Sequence, residues 1–183
     1  NYFISGSYTS EDGILKNDQF SRFTVRSNLE SKITEWLTLS LNSAYSYLDY
    51  SGAAASLGDA RHGSPLADNK IGRKDYDMYL LGEQYTPYPL NNLYEDDKDI
   101  RNNLFLVGSV KITVPWIKGL SYQLNYSNDY NFNNSANFYP STVPDGSSNN
   151  GKASKSHSES RHWVFDNIVT YLRTFGDHQV NVT

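Results

Sequence analysis

From Leu120 onward the chain alternates with almost no error: Leu120, Tyr122, Leu124 and Tyr126, then Tyr130 and Phe132 beyond Asn128. Ser121, Gln123, Asn125, Ser127, Asp129 and Asn131 stand between them. A period of two marks a β-strand with one apolar and one polar face. This strand runs for about a dozen residues, whereas an ordinary strand runs roughly 5–6.

The same pattern recurs along the chain. It predicts strands over residues 1–9, 20–33, 37–50, 102–114, 120–132 and 162–174, with a seventh beginning at 179. In the second, Phe23, Val25, Leu29 and Ile33 share one face, while Arg22, Thr24, Arg26, Asn28, Glu30 and Lys32 share the other. Leu37, Leu39, Leu41, Tyr45 and Tyr47 form the apolar face of the third, and Leu104, Leu106, Val110, Ile112 and Val114 that of the fourth. Two long irregular stretches interrupt the pattern, at about 51–100 and 133–160. The first contains GAAASLGDA, a candidate short helix, and the acidic run EDDKD at 95–99.

The connections alternate in length: medium, short, long, short, long, short. In an up-and-down antiparallel sheet, alternate connections lie at the same end. All short turns therefore gather at one end and all long loops at the other. Transmembrane β-barrels have this asymmetry, with short periplasmic turns and long extracellular loops. The predicted fold is all-β: about seven antiparallel up-and-down strands forming a section of a transmembrane β-barrel. The apolar face would meet lipid and the polar face a lumen. Trp36 and Trp116 fall at the short-turn end, and Tyr122, Leu124 and Tyr126 lie on the face expected to meet lipid or its interfacial girdles.

Composition agrees with this picture. The chain has 183 residues, 38% hydrophobic, with 15 Tyr, 8 Phe and 3 Trp. Mean hydropathy is -0.63, and no run of apolar residues is long enough for a transmembrane helix. A barrel strand needs only about 9–11 residues per crossing, half of them polar. The net charge of -4 gives no basic, nucleic-acid-binding footprint. With no cysteine, disulfides and thiolate metal sites are excluded. No signal peptide is visible, and both ends look cut from a larger protein.

Three stretches carry a family resemblance. Residues 1–47 resemble the early barrel of SusC/RagA-type TonB-dependent transporters of Bacteroidetes outer membranes, through Tyr8, Gly13, Arg22, Arg26, Asn28, Trp36 and Leu37. Residues 104–127 are similar to the family's next hairpin, with Ile117, Gly119 and Leu120 at the turn. Residues 167–182 match another, at Thr170, Tyr171, Phe175, Gly176 and His178. The resemblance implies a plugged barrel of about 22 strands. The plug domain, the TonB-binding segment and the remaining strands would lie outside residues 1–183. It further implies uptake of oligosaccharides or peptides across the outer membrane, driven by TonB, under a lid formed by a SusD-type surface lipoprotein.

Catalysis has no visible carrier. His62, His157, His162 and His178 show no H-x-x-x-H spacing, and there is no G-x-S-x-G or phosphate-cradling glycine loop. His178 reads as a turn residue, and the run 95–99 as a solvated acidic loop, without the spacing of a calcium loop. Neither a cofactor nor a metal is expected. Tyr76, Tyr79, Tyr85, Tyr88 and Tyr94 crowd the first long loop, where aromatic bodies with polar tips suit stacking on sugars or contact with a lid protein. Arg22 and Arg26 on the polar face would line the lumen and pair with acids of the plug. At this level an alternative stays open: a soluble all-β carbohydrate-binding or interaction module that presents Tyr-rich loops.

Overall fold

A computed structural model describes residues 1–63 and 87–183. Seven strands form one antiparallel sheet in chain order, β1 to β7. They are β1 (Tyr2–Asp12), β2 (Gln19–Lys32), β3 (Leu37–Asp49), β4 (Asp96–Thr113), β5 (Leu120–Tyr139), β6 (Lys152–Phe175) and β7 (His178–Val182). Two short helices, α1 (Leu57–His62) and α2 (Pro144–Ser147), lie in the long connections. Ser56 caps α1 by accepting from the Asp59 N–H at 3.1 Å. The helix expected in GAAASLGDA thus starts only at its sixth residue.

The register shows what the strand-by-strand pattern could not. Every apolar face falls on the same side of the sheet. One row across the strands reads Val25, Tyr45, Leu104, Tyr130. The next but one reads Leu29, Leu41, Gly108, Tyr126, Phe165. Lower still come Leu37, Ile112, Tyr122 and Val169, then Leu120, Tyr171 and Val182. A one-residue slip at any pairing would put one strand's apolar set among its neighbours' polar ones.

The band drifts along the strands. Its lower edge on β2 is Ile33, whose N–H donates to the Leu37 carbonyl in the row of Val169. On β6 the apolar face continues to Phe175, about six residues lower. The upper edge on β2 is Phe23, in the row of Tyr47, Phe132 and Glu159, and on β6 it is Trp163, about four residues lower. Over four strand-to-strand steps this is roughly 4 Å of drift per 4.8 Å step, a tilt of about 40°. Barrel strands tilt by about 35–45°. From Leu120 to Tyr130 the apolar face of β5 runs about 33 Å along the strand. At that tilt the band is about 25 Å tall, the height of a transmembrane barrel's apolar belt.

No second layer covers this band. Val143, in a loop, is the one buried hydrophobic side chain among the described residues, while Tyr2, Ile4, Trp163 and Val169 are more than half exposed. The chain exposes 12921 Å², against about 9,000 Å² for a compact soluble monomer of its mass. A water-soluble sandwich would bury that face.

Two of the three connections at one end are far longer than any at the other, while the link 13–18 matches the turn 114–119 at six residues each. Residues 33–36, 114–119 and 176–177 turn at one end; 13–18, 50–95 and 140–151 connect at the other. Thr34 Oγ1 accepts from the Leu37 N–H at 3.0 Å in the first short turn. Gly119 has φ +90, and a Cβ there would meet the Leu172 carbonyl oxygen at 2.1 Å, so the second short turn requires glycine.

Three boundaries move. The stretch 133–160 is not one loop: β5 continues to Tyr139 and β6 begins at Lys152, leaving only 140–151 as connection. Above the apolar band both faces are wetted, so KASKSHSESR has no alternation to read, although backbone pairing continues from Phe132↔Glu159 to Tyr139↔Lys152. Likewise Asp96–Asp99 is not a solvated loop. It is the start of β4, paired with Ser135–Phe138, and the connection 50–95 ends before it. Asp97 accepts from Asn137, and Asp99 takes a two-point bond from Arg101 at 2.6 and 3.2 Å.

Candidate functional site

The loop 13–18 and the connection 50–95 pack on one another at the end away from the short turns. The Gly13 N–H bonds the Asp18 carbonyl at 2.7 Å, closing the β1–β2 loop. That loop anchors the next: the Ala55 N–H donates to the Lys16 carbonyl at 3.1 Å, and the Asn17 amide to the Ala53 carbonyl at 3.0 Å. The Ser56 N–H in turn holds the Pro89 carbonyl at 2.8 Å. The third loop folds around Val143. There α2 approaches so closely that a Cβ on Gly146 would lie 2.2 Å from the Pro140 carbonyl oxygen.

Between these loops and the upper ends of β4, β5 and β6 lies a groove of about 780 Å³, lined by Asn17, Leu93, Glu95, Asp97, Lys98 and Lys155 among others. A second hollow of about 600 Å³ shares Asn17, Gln19 and Leu93 with it and adds Tyr94. Burial, then the Asp145 and Asp97 carboxylates, hold the Glu95 carboxyl above its usual range. The Tyr139 hydroxyl is raised as well, by burial, then by Glu95, Asp145 and Asp97. The groove therefore offers carboxamides, carboxylates, two lysines and an aromatic wall. Such a set can hydrogen-bond and stack on a polar ligand. Among the described residues no group of three metal-ligating side chains assembles.

Of the five loop tyrosines, Tyr94 lines the second hollow, 43% exposed. Tyr88 is half-buried, lines neither hollow, and lends its carbonyl to the Asn91 N–H at 3.0 Å. Tyr76, Tyr79 and Tyr85 lie outside the described residues. Arg22 and Arg26 are exposed on the polar face, with Thr24 buried between them and bonded to Ser46 at 3.3 Å. Neither arginine forms an ion pair among the described residues. On the same face Asn103 donates to Asp129 at 2.6 Å and to Asn131 at 2.8 Å. Trp36 and Trp116 stand at the short turns, 44% and 83% exposed. Tyr122, Leu124 and Tyr126 lie together on the apolar face, where the Tyr122 hydroxyl satisfies Asn167.

Sequence reading missed Asn17, Leu93 and Lys155, which come together through loop packing and the upper pairing of β5 with β6. It also missed Trp163 at the upper edge of the band. In the W-V-F run at 163–165 the sequence leaves open whether the two aromatics or Val164 face outward, until the pairings Asn128↔Trp163 and Tyr126↔Phe165 put both aromatics on the apolar face.

Curated relatives give the same picture from an independent direction. The chain is 24% identical over 196 residues to TonB-dependent receptor P3 of Formosa agariphila, covering 99% of the chain and 19% of that protein. It is 22% identical over 181 residues to TonB-dependent receptor P26 of the same organism, covering 97% of the chain and 18% of the relative. The likeness is to TonB-dependent receptors. The seven-stranded sheet, with its tilt and one-sided apolar band, has the form of a β-barrel segment. The chain spans about a fifth of the length of these curated relatives. No protein-family model matches it.

Proposed function

We propose that residues 1–183 are part of the barrel of an outer-membrane TonB-dependent importer of the SusC/RagA kind. It takes up oligosaccharides or peptides and is a transporter, not an enzyme. The apolar band faces outer-membrane lipid, with Trp36 and Trp116 in the periplasmic girdle. The polar face lines the lumen, where Arg22 and Arg26 meet acidic groups of the plug domain. The long-loop end faces outside the cell. There Tyr94, the other loop tyrosines and the groove residues contact substrate or a SusD-type lipoprotein. TonB engages a segment outside these residues. No cofactor takes part.

The observation that carries this reading is the shared apolar face of all the strands, tilted and tall enough for a barrel's belt, with the long connections at one end. The test is uptake by cells expressing the full-length protein, offered panels of fluorescent oligosaccharides and peptides. A protonophore should abolish accumulation of the transported probe and leave surface binding. Accumulation that continues at the same rate without the proton gradient would overturn TonB-driven import.

A further inference from the structure

At the upper edge of the apolar band, on its outward side, one arginine is anchored by neutral partners and forms no ion pair among the described residues. Arg161 stands opposite Tyr130, one outward position above Trp163. Its Nε donates to Asn128 Oδ1 at 2.7 Å and its Nη2 to the Tyr126 hydroxyl at 3.2 Å. Asn128 is 6% exposed, so this anchor is itself packed. Two of the five guanidinium N–H groups are thereby used, and three stay free.

Glu159, one outward position above, is bonded to His157 and to the Tyr130 hydroxyl rather than to Arg161. Glu159 holds His157 Nε2 at 2.7 Å, and His157 Nδ1 meets Asn134 at 2.7 Å. No carboxylate pairs with Arg161 among the described residues. Its height matters too: Tyr130 and Trp163 mark the level where the band ends, which is headgroup level on the membrane reading. A fixed, forked cation there matches phosphate oxygens in geometry and charge.

We propose that Arg161, oriented by Asn128 and Tyr126, binds the phosphate of an outer-leaflet lipid headgroup. The inference rests on the outer-membrane placement of the band. The probes are lipid A carrying both phosphates and the same lipid after dephosphorylation, each added to the full-length protein in detergent and counted by native mass spectrometry. The wild type should retain the phosphorylated lipid preferentially. Arg161→Gln should reduce that retention about fivefold, the expected effect of one basic residue at a membrane surface, and should leave the dephosphorylated lipid unchanged. Arg161→Lys should restore part of the preference. Asn128→Ala keeps the charge but frees the guanidinium, so it should give an intermediate loss and serves as the second variant should Arg161→Gln not fold. Equal retention of both lipids by the wild type, or no change in both Arg161→Gln and Asn128→Ala, would overturn the site. Displacement of the lipid by millimolar inorganic phosphate would assign the site to free phosphate and also overturn it. A protein that inserts normally yet shows no phosphate preference defeats this inference alone; failure to insert defeats the membrane placement beneath it.

Discussion

Placing a positive charge at Leu124 should unfold the barrel far more readily than the same charge one residue later. Leu124 faces outward between Val110 and Asn167. It lies four residues above Leu120, about 13 Å along the strand. At a tilt of about 40° that is roughly 10 Å into a band about 25 Å tall, close to mid-depth. An arginine at the midplane of a barrel's lipid face costs about 2–4 kcal/mol. That is a factor of roughly 30 to 900 in the folding equilibrium. Asn125 faces the other way, between Ser109 and Asp166. Arginine there would sit in polar surroundings beside a carboxylate, with an effect within about 0.5 kcal/mol. Asn134 faces outward like Leu124 but lies above the band, so its arginine variant should cost no more than about 1 kcal/mol. The assay is reversible guanidinium unfolding of the full-length protein in lipid bilayers, followed by tryptophan fluorescence. Equal costs at Leu124 and Asn125, or a larger cost at Asn125, would refute both the facing and the depth.

An epitope inserted beside Gly151 in the full-length protein should be labelled on intact cells, and one at Lys118 only after the outer membrane is broken; labelling of Lys118 on intact cells reverses the topology. Gly146→Ala should displace the loop 140–151, costing more than about 1 kcal/mol locally because backbone must move; faster proteolytic nicking there with an intact barrel is expected, and an unchanged nicking rate argues against the close packing of α2. The Glu95 carboxyl titrates above its ordinary value near 4.5 in the fold, so its contribution to stability is complete below that value and is lost as pH rises through the folded value. Hydrogen exchange over residues 91–97 and 140–147, corrected for intrinsic rates, should therefore be slower near pH 4 than at pH 7 in the wild type, and Glu95→Gln should remove the difference.

Legibility in the sequence followed the solvent on each side of the sheet. Where one face is apolar, as with Phe23 to Leu29 or Leu120 to Tyr126, alternation revealed both the strand and its facing. Where both faces are polar, as from Lys152 to Arg161, pairing rests on backbone bonds that leave no periodic trace, and the strand read as loop. The acids of Asp96–Asp99 hid the start of β4 in the same way. Connection lengths were readable because they depend only on strand boundaries, and small errors did not change which end held the long loops. The groove was not readable: Asn17 and Leu93 lie in separate connections joined by loop-to-loop bonds, and Lys155 reaches them through the upper pairing of β6 with β5. Arg161 became meaningful only when the register set it beside Asn128 and Tyr126.

The central claim is that one face of this sheet meets lipid over a fixed height and that the strands then continue into water. Spin labels placed singly along β5 from Leu120 to Tyr139 in the bilayer-embedded full-length protein test it directly. Outward positions from Leu120 to Tyr130 should be relaxed by oxygen and shielded from a water-soluble nickel chelate, while Ser121 to Asp129 on the other face show no preference for oxygen. From about Asn134 onward the period of two should vanish, and outward positions should become open to the chelate. Uniform chelate access along the whole strand, or alternation that persists unchanged to Tyr139, would contradict the account.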